Sequence, residues 1–237
     1  MHREYRKWYS PALGREMEML VIGHGGLPMV VFPTSKGRFF EFEDRGMVKA
    51  VQRQYEEGKI QAFCVDSVDE QTFYAHWMRP HDRMHRYNAY QAYIMNEVLP
   101  LVRHKNWSPR IAAMGCSFGG YHAMNFALKH PDVFTDCIAM SAAFDIRNFL
   151  RGYYDENVYY NNPADYLPNQ HDEWYLSRYR RNRYILAAGD WDICLGDNRK
   201  FDGILSAKGV PHKLDIWGPE QKHDWPLWHW MSRTYFQ

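Results

Sequence analysis

Gly115-Cys116-Ser117-Phe118-Gly119-Gly120 is the segment from which the rest of the chain can be read. Before it, Arg110-Ile111-Ala112-Ala113-Met114 has the short apolar character of a buried strand, and after it Tyr121 to Lys129 reads as a helix that stops at His130-Pro131. A strand, a tight turn flanked by glycines and a helix hold a serine hydroxyl out from the end of a sheet. The glycines let two backbones pass where a Cβ would collide. The helix N-terminus then turns its free N–H groups toward the serine.

Working outward, Glu16 to Ile22 and Leu27 to Phe32 predict two strands, joined by Gly23-His24-Gly25-Gly26 as an antiparallel pair. Gln61 to Val65, Asp136 to Ser141, Tyr184 to Ala188 and Lys213 to Trp217 predict further strands. Arg86 to Arg103 carries Tyr87, Tyr90, Ile94, Val98 and Leu101 at helical spacing, with Pro100 tightening its last turn. Asn198 to Lys208, closed by Gly209, and Trp225 to Tyr235 predict two more helices. Strands alternating with helices predict an α/β fold with a mainly parallel central sheet covered on both faces. Residues 146–182 show no strand pattern and read as a short lid-like insertion over the C-terminal edge of the sheet.

The 237 residues read as one domain, 1–237, and carry a net charge of +1 with both signs evenly mixed. That balance argues against a nucleic-acid or membrane surface. Cys64, Cys116, Cys137 and Cys194 sit apart in or beside apolar strands and read as free thiols. The polar start Met1 to Lys7 leads into no apolar segment of a signal peptide, so a cytoplasmic location is the default expectation.

A serine hydroxyl near neutral pH needs an imidazole to take its proton and a carboxylate to orient that imidazole. On an elbow of this kind the chain order is serine, acid, histidine. Gly189-Asp190-Trp191-Asp192 follows one predicted strand, and Pro219 to Trp225, which contains His223, follows the last. The candidates are therefore Ser117, Asp192 or Asp190, and His223. Asp190 adjoins a glycine and could instead cap the turn, whereas Asp192 has Trp191 and Ile193 to shield a His–Asp contact. This chemistry needs no cofactor and no metal.

Gly115 to Ala123 resembles the elbow of the putative-esterase branch of the α/β-hydrolases, which holds the esterase D and S-formylglutathione hydrolases, the tributyrin-type esterases and the antigen 85 mycolyltransferases. Gly189-Asp190-Trp191-Asp192-Ile193 with Asp197 to Phe201 is similar to that branch's acid loop and following helix, and His223-Asp224-Trp225 with Trp228 to its histidine segment. The resemblance spans nearly the whole chain. It implies an α/β-hydrolase fold, carboxylic ester hydrolysis of a small-molecule ester, and Asp192 as the acid. The family's usual His-Gly after the strand that supplies the oxyanion loop is missing, because Pro33-Thr34-Ser35-Lys36-Gly37 follows Leu27 to Phe32. His24-Gly25 precedes that strand and reads as a turn. The expected oxyanion donors are the N–H of Phe118 and that of Thr34 or Ser35, with Ser35 taken forward.

Other features admit two readings. His81-Asp82-Arg83-Met84-His85 has two histidines at i, i+4, but it lacks the glutamate and third ligand of a zinc protease and reads as a solvated loop before Arg86. Asp145 could reach the site or cap the residues after it. Tyr153, Tyr154, Tyr159, Tyr160, Tyr166 and Trp174 could line a substrate pocket or form a contact between copies in a homo-oligomer. With Arg147, Arg151, Asn161 and Asn162 they suggest a partly polar substrate, a sugar ester or a short acyl ester. Acyl transfer, thioester hydrolysis and a non-catalytic binding role on the same scaffold are the alternatives to ester hydrolysis.

Overall fold

Ile60–Val65, Ala112–Cys116 and Asp136–Met140 are buried along their whole length, which requires cover on both faces of the sheet they form. The computed structural model describes residues 1–236 and arranges eight strands in the order β1-β2-β4-β3-β5-β6-β7-β8. The strands are β1 (Arg3–Ser10), β2 (Arg15–Ile22), β3 (Leu27–Phe32), β4 (Ile60–Val65), β5 (Ala112–Cys116), β6 (Asp136–Met140), β7 (Arg183–Gly189) and β8 (Lys213–Trp217). All pairings from β4 through β3 to β8 are parallel, while β1–β2 and β2–β4 are antiparallel.

Side chains alternate between two cores, as the period of two along a strand demands. Val30, Phe32, Phe63 and Val65 join one core with Tyr87, Ile94, Phe126 and Leu205. Met29, Val31, Ala62 and Cys64 join the other with Val48, Tyr55, Trp228 and Met231. The first is covered by α4 (Pro80–Tyr93), α5 (Leu99–Lys105), α6 (Phe118–Lys129) and α10 (Leu195–Ala207). The second is covered by the short helices α1 (Glu41–Asp44), α2 (Met47–Ala50) and α3 (Gln52–Glu56), and by α11 (Trp225–Tyr235). Among the described residues no helix is long and apolar enough to cross a membrane.

Three sequence expectations are corrected. First, β2 and β3 do not pair with each other: β2 lies between β1 and β4, and β3 between β4 and β5. Gly23 and Gly26 sit at φ +89° and +81°, and a Cβ on Gly26 would fall 2.1 Å from the Lys59 carbonyl. The turn thus carries the chain tightly over the start of β4 instead of folding back on β2. Second, β1 was not anticipated, because its mostly exposed side chains leave no apolar pattern to read. Third, α4 begins at Pro80, whose lack of an N–H suits a first turn, so His81 to His85 are helical rather than loop. Pro100 follows a π-helical turn, Ile94–Val98, which accommodates the proline without ending the helix.

The insertion contains one 3-10 turn, Arg147–Leu150, and three short helices, α7 (Glu156–Tyr159), α8 (Pro163–Tyr166) and α9 (Glu173–Tyr179). Its first turn meets the elbow, with Phe149 and Phe118 rings 4.9 Å apart. The chain then descends along α6. Tyr121 Oη donates to Asn161 O at 2.8 Å, Tyr166 Oη to Asn125 Oδ1 at 3.1 Å and Tyr179 Oη to Leu128 O at 2.7 Å.

Gly25 and Gly26 provide an internal comparison. Gly25 has its nearest non-neighbour atom 3.9 Å from a built Cβ. Gly26→Ala is expected to lose about 2–4 kcal/mol of stability in urea unfolding, and Gly25→Ala about 0.5 kcal/mol or less. Equal losses would show that the crossover does not depend on the backbone contact at Lys59.

Candidate active site

Ser117 adopts φ 54° and ψ −124°, a left-handed conformation that costs a non-glycine residue about 1–3 kcal/mol and persists only where its surroundings enforce it. The enforcement is visible. Ser117 N–H donates to Met140 O at 2.8 Å, and Gly120 N–H to Ser117 O at 3.0 Å. A Cβ on Gly115 would lie 2.3 Å from Gly119 C, and one on Gly119 2.4 Å from Phe32 O and 2.5 Å from Pro33 O. Only glycine fits at either place, so the two glycines let the turn close and let α6 begin against the end of β3. The N–H of Phe118 heads this helix and has no hydrogen-bond partner among the described residues.

His223 Nε2 stands 3.0 Å from Ser117 Oγ, and His223 Nδ1 2.8 Å from Asp192 Oδ1. Asp190 does not join this line. Its carboxylate accepts the N–H groups of Glu220 at 3.1 Å and Gln221 at 2.8 Å, clasping the loop that delivers His223. Trp191 N–H donates to Gln221 O at 3.0 Å, and a Cβ on Gly189 would sit 2.0 Å from that oxygen, so the two loops touch backbone to backbone. Trp228 packs edge-on to the His223 ring at 5.1 Å and donates its indole N–H to Ser141 Oγ at 2.8 Å.

Burial works to raise the Asp192 pKa, but hydrogen bonds from His223 and the Cys194 N–H, with the nearby Ser141 hydroxyl, outweigh it and hold the carboxyl below its usual value. The Cys194 N–H reaches Oδ1 at 2.7 Å, while Oδ2 is buried without a partner at hydrogen-bond geometry, so the help from Ser141 is mainly electrostatic. Asp192, Cys194 and His223 bring one ligand atom each within 4.8 Å of one another. They do not suit a metal. Burial, with Asp192 and Asp197, pushes the Cys194 thiol up to about 12, and both ring nitrogens of His223 already face partners.

The loop after β3 is pinned from three sides. Thr34 N–H donates to Glu41 Oε2 at 2.8 Å, which removes it as a donor for anything else. The Ser35 N–H has no partner among the described residues, and Tyr74 Oη donates to Ser35 Oγ at 2.7 Å. Lys36 N–H donates to Asp69 Oδ2 at 3.0 Å, and the other oxygen of Asp69 faces Nε2 of the fully buried His122 at 3.1 Å. Tyr87 Oη meets His122 Nδ1 at 3.1 Å, so the network assigns the Nε2–H tautomer. A chain of contacts thus ties α6 to the loop that presents Ser35. Sequence reading missed Glu41, Asp69, Tyr74 and His122. Only Glu41 lies near its partner in sequence, and no local pattern marks the other three.

Other singled-out residues lie elsewhere. Tyr159, Tyr160 and Tyr166 line a cavity with Lys129 and His130, at the end of α6 opposite Ser117. Asn161 and Asn162 are buried and hydrogen-bonded within the fold, and Arg147 pairs with Asp145, so these three give no support to a polar substrate. Asp145 Oδ1 accepts the Arg147 N–H at 3.0 Å in an Asx turn that leads into the 3-10 turn, whose N-cap position is Ile146. His24-Gly25 lies in the crossover beside Gly58, away from the elbow.

A model of the family described as Putative esterase matches residues 10–234. Among solved structures, a ferulic acid esterase is 19% identical with a TM-score of 0.80, over 99% of this chain and 96% of that one. An S-formylglutathione hydrolase from Staphylococcus aureus is 19% identical with a TM-score of 0.71, over 99% and 95%. MPT51 of Mycobacterium tuberculosis is 15% identical with a TM-score of 0.69, over 100% and 98%. These likenesses establish the α/β-hydrolase fold. No curated protein matches the sequence.

The depressed pKa of Asp192 has a consequence for stability. Its folded value lies below the unfolded value of about 3.9, so the stability it contributes is complete above that value and is lost as pH falls through the folded one. Asp192→Asn cannot make this contribution. The stability gap between wild type and Asp192→Asn in urea is expected to be widest at pH 7 and to narrow at pH 3. A gap independent of pH would mean that the carboxylate is not held in its charged form by these contacts.

Proposed function

The chain belongs to the Putative esterase family and is an esterase, and we propose that it hydrolyses carboxylic esters through an acyl-enzyme formed on Ser117. The observation that carries this reading is the hydrogen-bonded line from Ser117 Oγ through His223 to Asp192, with steps of 3.0 and 2.8 Å. In this mechanism Ser117 Oγ attacks the ester carbonyl while its proton passes to His223 Nε2. Asp192, kept ionised, holds the Nδ1–H and stabilises the imidazolium that forms. His223 then gives the proton to the departing alcohol. Water enters, loses a proton to His223 and adds to the acyl carbon; the bond from that carbon to Ser117 Oγ then breaks, the acid leaves and His223 returns its proton to Ser117 Oγ, so the reaction balances with ester and water alone.

The tetrahedral intermediates carry negative charge on the former carbonyl oxygen. Two features support the N–H groups of Phe118 and Ser35 as its donors. Neither has a partner among the described residues, and the contact of Gly119 with Phe32 and Pro33 brings the segments that bear them side by side. Asp190 acts on the loop and not on the proton path.

Hydrolysis of p-nitrophenyl esters of increasing acyl length tests the proposal. Ser117→Ala and Asp192→Asn are each expected to lose about 1,000-fold or more in kcat, because the nucleophile or the orientation of its base is gone. Asp190→Asn is expected to lose about 10- to 100-fold, the effect of misplacing His223. Undiminished turnover by Ser117→Ala would sink the proposal. A product ester formed when an acceptor alcohol is added, or preference for a thioester over its oxygen ester, would redirect it to the alternative acyl chemistry.

A further inference from the structure

The end of α6 that faces away from Ser117 carries a cavity of about 600 Å³, within the range of about 300–1,000 Å³ found for small-ligand sites. The helix has 12 residues, so the cavity lies about 18 Å from the elbow. It is walled by five tyrosines of two kinds. Tyr166 and Tyr179 are fixed by hydrogen bonds from their hydroxyls to Asn125 and Leu128. Tyr159, Tyr160 and Tyr175 have hydroxyls with no partner among the described residues. Gln170 Nε2 and the ring nitrogens of His130 are equally unengaged. A second cavity, of about 390 Å³, adjoins the first, sharing Lys129, His130 and Tyr160, and is walled by the side-chain amides of Asn88, Gln91 and Asn157.

We propose that this tyrosine- and amide-walled trough binds a neutral saccharide chain. The faces of tyrosine rings are electron-rich and suit the weakly positive C–H faces of a pyranose ring, while the free tyrosine hydroxyls, Gln170 Nε2 and the His130 imidazole meet sugar hydroxyls. A wholly apolar ligand would leave the hydroxyls of Tyr159, Tyr160 and Tyr175 dry and unpaired, whereas the amides of Asn88, Gln91 and Asn157 already bond to one another, to Asn161 and to Asp155. Among the lining residues Lys129 donates to Asn161 Oδ1 at 2.9 Å and burial pulls its pKa down to about 8, so an anionic chain is the competitor that the charged polymer tests. Burial likewise lowers the pKa of His130. No carboxylate lines either cavity among the described residues, so a polycation has no partner there. The trough is open at Tyr160, which is 58% exposed, as a chain longer than the cavity needs.

Native gel electrophoresis through gels containing xylan, galactomannan or dextran, with polygalacturonate as the charged comparison, tests the assignment. The Ser117→Ala protein is used, so that retention does not depend on turnover. Retardation by at least one neutral polymer is expected, weakened about tenfold or more in Tyr160→Ala and Tyr175→Ala. Both variants are expected to keep wild-type p-nitrophenyl ester turnover in an otherwise unmodified chain, which shows that they fold. Lack of retardation by every neutral polymer, retardation only by polygalacturonate, or retardation unchanged in both tyrosine variants would overturn the proposal. So would a dimer in gel filtration that Tyr160→Ala dissolves, since the face would then belong to a second copy. None of these outcomes bears on ester hydrolysis at Ser117.

Discussion

The approach of Gly119 to the carbonyls of Phe32 and Pro33 is the contact on which the site depends. It sets where α6 starts, and the start of α6 sets Ser117 in a backbone conformation the residue would not adopt alone. The same contact places the Phe118 N–H beside the loop that carries Ser35. A larger residue at 119 would separate these two elements by the width of its side chain, and Ser117 and both prospective oxyanion donors would move together. Gly115 works in the same way one turn earlier, against the backbone of Gly119 itself.

Two clasps complete this arrangement from opposite sides. Asp190 gathers the backbone N–H groups of Glu220 and Gln221, and Gly189 lets the two loops meet, so His223 is delivered by a doubly held loop. On the other side Asp69 takes the Lys36 N–H with one oxygen and faces His122 with the other. His122 is fully buried inside α6, so this carboxylate connects that helix to the loop after β3 through the interior. Removing either partner would leave a buried polar group without its hydrogen bond, which costs about 1–3 kcal/mol.

The parallel sheet and the helices beside it were legible because fully buried strands must be apolar throughout and their connecting helices amphipathic. Ser117, Asp192 and His223 could be picked out because each follows the C-terminal end of a strand, and strand ends are visible in sequence. Asp190 and Asp192 could not be told apart from local pattern alone, since the difference lies in partners about 30 residues away, at Glu220, Gln221 and His223. β1 escaped because an edge strand facing water needs no apolar residues. The pairing of β2 was misread because a short glycine turn looks the same whether it closes a hairpin or crosses a neighbouring strand. The tyrosines of the insertion were visible as composition, but only the path of the chain along α6 shows which end of that helix they reach.

That path divides the molecule's polar surface between the two ends of one buried helix. Every residue from Phe118 to Leu128 is buried, so α6 is held around its whole circumference and behaves as a fixed rod. Its N-terminus offers the Phe118 N–H, without a partner among the described residues, which suits a developing negative charge. At its C-terminal end, where the dipole disfavours anions, burial lowers the pKa of Lys129 to about 8 and lowers that of His130, and tyrosines and uncharged amides make up most of the surrounding wall. One element therefore presents two environments of different electrostatic character, each suited to a different chemistry. Because the rod between them is rigidly packed, changes at the tyrosine end can alter what is held there without disturbing the geometry at Ser117.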